Sequence, residues 1–135
     1  MKKIVADTSF CGAWIFQDEA TGVAEELLEE LITGSAQLIV PSLWHYEMAN
    51  MLRSGYRRKR LNKTSLGAAE KALSLVPVHE VDVPRQGDLR KLIEVANRYD
   101  LSVYDAAYLE LSNRLKVPLM TTDKKLKSVY KSLIK

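Results

Sequence analysis

Short apolar runs alternate with longer amphipathic stretches along the whole chain, and this alternation limits the possible folds more than any other feature of the sequence. The run IVAD at residues 4–7 is apolar and ends in a charge, which is typical of a buried strand that leads into a turn. Residues 21–33 instead place Leu27, Leu28 and Leu31 at helical spacing, with glutamates between them. Strands that alternate with helices usually form a parallel sheet covered by those helices. The pattern therefore predicts an α/β domain with a central parallel sheet.

The same periodicities divide the rest of the chain into predicted elements. The expected strands are residues 4–7, 37–40, 78–83 and 117–121. The expected helices are residues 9–16, 21–33, 42–57, 63–75, 84–99 and 103–115, with a last helix that starts at Asp123. The chain has 135 residues and shows no repeat or linker, so residues 1–135 are expected to form one domain.

Composition excludes some classes of protein and leaves others open. No apolar run approaches the roughly 20 residues that a membrane-spanning helix needs, and Asp7 interrupts the apolar start of the chain. The lone cysteine, Cys11, cannot form an internal disulfide, so we expect a cytoplasmic protein without membrane contact. The net charge of +3 is compatible with nucleic-acid binding but does not establish it.

Carboxylates occupy the positions where a fold of this kind collects functional groups. Asp7 follows the first predicted strand and Asp123 follows the last, and the carboxyl ends of parallel strands share one edge of the sheet. Glu47 and Asp105 lie in predicted helices, where each shares a face with apolar residues three or four positions away. These two acids are therefore expected to face inward.

If the four acids converge, their charges repel one another and raise one another's pKa. A divalent cation such as Mg²⁺ or Mn²⁺, which prefers oxygen ligands, removes that conflict. Such a cluster suits the metal-assisted hydrolysis of a phosphodiester.

Each acid, considered singly, also has a simpler explanation. Asp7 and Asp123 each precede a predicted helix, so each is also consistent with an N-cap. Glu47 could reach past its neighbours to solvent, and Asp105 could cap a helix that starts later than residue 103. Periodicity alone leaves these alternatives open.

Four segments, taken in order, give the sequence a specific likeness. They are DTS at residues 7–9, the glutamate Glu47 in a mid-chain helix, LSVYDAAYLELS at residues 101–112, and LMTTD at residues 119–123. In these segments the chain resembles the PIN-domain family, and most closely the VapC-type toxins of toxin–antitoxin pairs, from Ile4 to about Leu126. The segment around Asp105 is the most specific part of the likeness.

This resemblance implies a Rossmann-like α/β/α sandwich and an endoribonuclease that depends on Mg²⁺ or Mn²⁺. It assigns the catalytic and metal-binding roles to Asp7, Glu47, Asp105 and Asp123. Ser9 and Thr121 match positions with supporting roles, in which a hydroxyl orients a carboxylate or water. The resemblance also implies an RNA substrate, a cognate small antitoxin protein and a homodimer.

The densest basic run of the chain follows the helix that carries Glu47. Arg57, Arg58, Lys59 and Arg60, with Arg53 upstream, could contact RNA phosphate, although a solvated helix end explains them equally well.

Two further groups of side chains need no role in catalysis. The histidines His45 and His79 are assigned structural or surface roles. The remaining candidates are large apolar side chains that suit the core in most cases and a partner surface otherwise. They are Phe10, Trp14, Trp44, Tyr46, Met48 and Met51.

Alternative functions follow from the same residues. One is a PIN nuclease with a housekeeping role in RNA processing and no antitoxin, and another is a non-catalytic module that binds RNA or protein. A phosphoacceptor signalling domain is disfavoured, because DTSF supplies only one acid after the first strand.

Overall fold

The computed structural model describes residues 1–81 and 86–134. The strands are β1 (Lys2–Ala6), β2 (Ala36–Pro41), β3 (Val78–Val81) and β4 (Leu119–Met120). The helices are α1 (Thr8–Cys11), α2 (Gly22–Thr33), α3 (Leu43–Arg57), α4 (Lys63–Ser74), α5 (Leu89–Tyr99), α6 (Val103–Leu115) and α7 (Lys124–Leu133). Short 3-10 turns lie at Gly12–Trp14, Gln17–Glu19 and Gln86–Asp88.

The four strands form one parallel sheet in the order β3-β2-β1-β4, with helices on its faces. This confirms the predicted α/β fold with a central parallel sheet. The centre of the sheet, formed by β2 and the second half of β1, is buried and apolar, as a parallel sheet between helices requires. Val5, Leu38 and Val40 on the strands pack with Leu111 of α6 and Leu31 of α2 in the core.

The strand order reverses at β1. From β1 the chain adds β2 and then β3 on one side, and it later places β4 on the other side of β1. The connections after two neighbouring strands here run in opposite directions. Such a reversal opens a crevice at the carboxyl ends of the two strands, where α/β proteins commonly bind ligands. In this chain, Asp7 follows β1 and Thr121 follows β4 at that crevice.

The last strand is shorter than predicted. Residues 117–121 were expected to be extended, but only Leu119 and Met120 pair with β1. The backbone N–H of Val117 instead donates to the carbonyl of Ser112 at the end of α6, at 3.1 Å. Pro118 has no N–H to donate, although its carbonyl accepts from Val5.

The first predicted helix, residues 9–16, is divided in the structure. Asp7 caps α1, which therefore begins at Thr8 and ends at Cys11. The backbone N–H groups of Ile15 and Phe16 both donate to the carbonyl of Gly12, which tightens the chain into a 3-10 turn.

Other boundaries follow the predictions closely, and α6 matches its predicted range of residues 103–115. The predicted strand at residues 78–83 is observed as β3, and its last two positions lie outside the described residues. The helix predicted for residues 84–99 begins at Leu89, and Pro84 also lies outside the described residues. No helix in residues 1–81 and 86–134 is both long and apolar enough to span a bilayer.

Most of the large apolar side chains assigned to the core are at least partly buried. The buried ones are Phe10, Trp44 and Met48, and the half-buried ones are Trp14 and Met51. Tyr46 is the exception, because 80% of its surface is exposed. Helical periodicity identified the helix but not which face of it the sheet would cover.

Gly55 allows the closest approach between α3 and its neighbours. A Cβ atom at this position would lie 2.8 Å from Cζ of Phe16 and 3.2 Å from Cδ1 of Leu61. The guanidinium of Arg60 lies 3.8 Å from the centre of the Phe16 ring on which it rests. The Phe16 ring therefore has Gly55 at its edge and Arg60 over its face.

Gly55→Ala is expected to destabilise the protein by about 1 kcal/mol, because overpacking typically costs about 1–3 kcal/mol and alanine returns up to ~1 kcal/mol of helix propensity. Gly67→Ala in α4 is the matched control, since nothing lies within 4 Å of its Cβ position. The control should be stabilised. Chemical denaturation of both variants measures the difference, and equal shifts in the same direction would contradict the close packing at Gly55.

Candidate active site

Asp7 is a buried carboxylate, 4% exposed, at the point where β1 ends. Its Oδ1 accepts hydrogen bonds from the Ser9 hydroxyl at 2.7 Å and from the Phe10 backbone N–H at 3.1 Å. Its Oδ2 accepts from the Thr121 hydroxyl at 2.6 Å. Burial raises the pKa of Asp7, the three hydrogen bonds oppose that rise, and the nearby charge of Asp123 adds to it.

The hydroxyls of Ser9 and Thr121 join the ends of β1 and β4 through Asp7. The Ser9 oxygen also accepts from the Thr122 backbone N–H at 3.0 Å, and the Thr121 oxygen accepts from the Asp123 backbone N–H at 3.1 Å. The two hydroxyl oxygens are 3.1 Å apart. Since each hydroxyl has only one proton and directs it at Asp7, their mutual contact is better described as packing than as a hydrogen bond. The two residues predicted to support the site therefore both contact Asp7.

Glu47 is half-buried on α3 and is held by a tyrosine. The Tyr108 hydroxyl donates to Oε1 of Glu47 at 2.7 Å, and Tyr108 itself is only 1% exposed. Burial raises the pKa of Glu47, the hydrogen bond from Tyr108 lowers it, and the charges of Asp105 and Asp7 raise it further. Burial and the adjacent Glu47 raise the pKa of Tyr108 far above its ordinary value, so its hydroxyl stays a donor.

Asp105 is the third residue of α6, near the start of that helix. The helix begins at Val103, and its cap is the Ser102 hydroxyl, which accepts from the Asp105 backbone N–H at 3.1 Å. The alternative that Asp105 itself caps a later helix is therefore wrong. Partial burial raises the pKa of the Asp105 carboxyl, the charges of Asp123 and Asp7 raise it further, and a hydrogen bond with Ser102 opposes the rise.

Asp123 is exposed and caps α7, where its Oδ1 accepts from the Leu126 backbone N–H at 2.9 Å. Asp7 caps α1 in the same way. Capping was the simpler explanation for both aspartates, and the structure shows it at both. Capping uses only one oxygen of each carboxylate, so it does not conflict with a second role.

Each of the four predicted acids lies close enough to at least one other for an electrostatic effect on its pKa or on that of its neighbour. Asp123 raises the pKa of Asp7 and of Asp105, and Glu47 responds to both Asp105 and Asp7. The structure therefore brings the acids to one edge of the sheet, as the strand ends predicted. Their assignment as catalytic residues and metal ligands stays a prediction.

The chemistry of these donors fits a hydrated divalent cation. All four side chains offer carboxylate oxygens, which Mg²⁺ and Mn²⁺ prefer. Among the described residues, no group of three His, Cys, Asp or Glu side chains is placed to hold a metal ion. Mg²⁺ usually keeps several waters and binds through one or two carboxylates and substrate phosphates, so it does not need three protein ligands.

A divalent cation is expected to raise the melting temperature at about pH 7.5 and to have little effect at about pH 4. The folded-state pKa values of Asp7, Glu47 and Asp105 are raised above their ordinary values of 3.8 and 4.5. Their contribution to stability is therefore fully present below those ordinary values and is lost as the pH rises through the raised ones.

Thermal unfolding in MnCl₂ or MgCl₂ at both pH values measures this effect, with NaCl at matched ionic strength as the control. A cation that stabilises the protein equally at both pH values would contradict binding by these carboxylates.

The basic run at the end of α3 is divided by the structure. Arg60 pairs with Asp18 at 2.8 Å and with Glu19 at 3.0 Å, so its guanidinium is occupied within the chain. Arg57, Arg58 and Lys59 are exposed, and none of them forms an ion pair with another described residue. The prediction of RNA contact therefore applies better to these residues than to Arg60.

Tyr108 holds Glu47 through a contact that the sequence pattern did not predict. The signal for it is general, because a tyrosine on a buried helix face needs a hydrogen-bond partner for its hydroxyl. Tyr46 directly precedes Glu47 and is exposed. The histidines follow the prediction, since both are exposed and His45 pairs with Glu80 at 3.2 Å.

Comparisons with known proteins agree with this architecture. The family model described as the PIN domain matches residues 4–132. The crystal structure of PAE2754 from Pyrobaculum aerophilum is similar, with a TM-score of 0.66 over 93% of this chain and 77% of that chain, at 21% sequence identity. No curated protein matches the chain.

Proposed function

The chain belongs to the PIN domain family, whose members are generally nucleases, and from this premise we propose that it is an endoribonuclease dependent on Mg²⁺ or Mn²⁺. The observation that carries the proposal is the position of Asp7, a carboxylate buried at the carboxyl end of β1 and hydrogen-bonded to Thr121, whose hydroxyl also accepts from the backbone N–H of Asp123. Neighbouring carboxylates repel one another in the metal-free protein, and a bound cation would offset that repulsion.

In this proposal Asp7, Asp105 and Asp123 would hold the cation, either directly or through its bound waters, and Glu47 would complete the set. When bound, the cation lowers the pKa of the attacking water and neutralises charge on the phosphate. The water oxygen bonds to phosphorus as the bond to the 3′ oxygen breaks, and the leaving oxygen takes up a proton. The products are a 5′-phosphate and a 3′-hydroxyl.

The residues around the acids keep them in position for this reaction. Ser9 and Thr121 fix both oxygens of Asp7, and Tyr108 fixes one oxygen of Glu47. The second oxygen of Glu47 is left available to accept a proton or to bind water. Orientation of this kind contributes to the rate because the reacting groups need not be ordered during the reaction.

We further propose that the enzyme is the toxin of a toxin–antitoxin pair and that it forms a homodimer. The support from the structure is a set of exposed apolar side chains on α5 and at the chain end, among them Ile93 at 52% and Ile134 at 60%. Exposed apolar side chains of this size favour a protein partner when they lie together on one surface. Sedimentation of the partner-free protein should give twice the chain mass of 15.3 kDa, and a monomer would contradict the dimer.

RNA cleavage by purified, partner-free protein tests the nuclease. Total RNA is incubated with wild type and with Asp105→Asn in Mg²⁺, Mn²⁺ or EDTA, and cutting should need both a cation and the intact acid. No cutting by folded protein in any cation would favour a non-catalytic binding module. Equal cutting by both proteins would point to a contaminant and contradict the site.

Growth of cells that express the chain separates the toxin from a housekeeping nuclease. Wild-type protein should arrest growth, and Asp105→Asn should not. Normal growth with active nuclease present in the cells would favour the housekeeping role.

A further inference from the structure

One face of α3 carries exposed side chains that the proposed chemistry leaves unused. Tyr46, Asn50, Arg53 and Arg57 are spaced by four, three and four residues, so they lie in one line along the helix. All four are exposed, and Tyr46 most of all, at 80%. We call this line of side chains the Tyr46 face. From its first to its last residue it extends about 16 Å along the helix.

The start of the Tyr46 face borders a groove that one of the four acids also lines. The groove has a volume of about 410 Å³ and is lined by Thr8, Tyr46, Glu47, Asn50 and Met51. Thr8 is the residue after Asp7, and Glu47 is itself one of the proposed ligands. A group seated in this groove would therefore lie beside Glu47, at the edge of the proposed cleavage site.

The chemistry of the face changes with distance from the acids. An aromatic ring and an amide come first, and two guanidinium groups follow. Arg53 and Arg57 have no carboxylate partner among residues 1–81 and 86–134, whereas Arg60, which lies off the face, is paired with Asp18 and Glu19. Unpaired guanidinium groups in line with an exposed ring suit a chain that carries both bases and phosphates.

We propose that the Tyr46 face binds single-stranded RNA next to the cleavage site. One base stacks on Tyr46, Asn50 hydrogen-bonds its edge, and Arg53 and Arg57 contact the phosphates that follow. The strand must be unpaired because the bases of a duplex are stacked on one another and cannot reach an exposed ring. This inference rests on the proposed nuclease and adds the residues that hold the strand and the path that it takes.

Binding can be measured apart from cleavage. The probe is a fluorescein-labelled single-stranded RNA of about 12 nucleotides, titrated in EDTA with protein that carries Asp105→Asn, so that no cutting occurs. Tyr46→Ala should weaken binding about tenfold, and Tyr46→Phe should restore it, because stacking needs the ring but not the hydroxyl. Tyr56→Ala is the matched control, since Tyr56 is 46% exposed on the same helix but off the Tyr46 face.

The arginines are tested through the dependence of binding on salt. The double variant Arg53→Gln/Arg57→Gln should reduce the slope of log affinity against log salt by about 0.7 for each phosphate that the protein no longer neutralises. The double variant Lys63→Gln/Lys71→Gln removes the same charge from exposed positions on α4, off the face. It should change the slope less.

The outcomes separate this inference from the proposed function. Wild type that cuts RNA in Mn²⁺ while Tyr46→Ala binds the probe normally would overturn the Tyr46 face and leave the nuclease intact. Equal weakening by Tyr46→Ala and Tyr56→Ala would also overturn it. Selective weakening by Tyr46→Ala in a protein that never cuts RNA would support the face and count against the nuclease. Equal affinity for a duplex of the same length would contradict the single-stranded substrate.

Discussion

Asp105→Asn is expected to reduce metal-dependent RNA cleavage by at least about 10²-fold and, at the same time, to raise the melting temperature of the metal-free protein by a few degrees. The first effect is expected because asparagine lacks the negative charge with which Asp105 would bind the cation. The second follows because burial and the charges of Asp123 and Asp7 destabilise the ionised Asp105. Initial rates in Mn²⁺ and thermal unfolding in EDTA at about pH 7.5 measure the two effects.

The matched control for this prediction is Glu110→Gln on the same helix. Glu110 accepts from Arg114 at 2.8 Å in an (i, i+4) pair, away from the other acids. Its loss should leave the cleavage rate unchanged and lower stability by about 0.3–0.5 kcal/mol. If Asp105→Asn lowered stability together with activity, the carboxylate of Asp105 would be a structural group and not a functional one.

Tyr108→Phe is expected to lower kcat by about 10- to 100-fold while KM for RNA and the fold change little. The ring stays buried, but Oε1 of Glu47 loses its donor at 2.7 Å. Glu47 is then free to turn away from the position that the other acids require. Rates at saturating and limiting RNA measure the change, and circular dichroism checks the fold.

Tyr104→Phe provides the comparison for Tyr108→Phe. Tyr104 is exposed and directly precedes Asp105, so its hydroxyl should be dispensable for cleavage. A Tyr108→Phe enzyme as fast as wild type would show that Glu47 needs no positioning by the tyrosine. A parallel rise in KM would instead indicate that Tyr108 contributes to RNA binding.

Local patterns were enough to predict most of the secondary structure and the positions of the acids. The period of the apolar residues identified α6 to the residue, and the strand ends identified Asp7 and Asp123. These features depend on neighbours within a few positions along the chain. The predicted boundaries of β4 and α1 were wrong because apolar periodicity does not register the missing N–H of Pro118 or the hydrogen bonds to the Gly12 carbonyl.

Contacts between distant parts of the chain were not readable from those patterns. The hydrogen bond from Tyr108 to Glu47 joins residues 61 positions apart, and the bond from Thr121 to Asp7 joins residues 114 apart. The second depends on the strand order, which places β4 beside β1, and the first depends on how α6 and α3 lie against each other. The exposure of Tyr46 likewise depends on which face of α3 the sheet covers. These are properties of the assembled fold.

Because β4 is short, the proposed cleavage site depends on a segment that can unfold locally. This edge strand pairs with β1 through only two residues, whereas β1 and β2 pair through four. Edge segments of this kind open and close in the native state at a lower free energy than the whole domain. Each opening would withdraw Thr121 from Asp7 and release the cap of α7. Amide hydrogen exchange at residues 119–123 would therefore report how often this segment opens and the acids separate while the rest of the sheet stays folded.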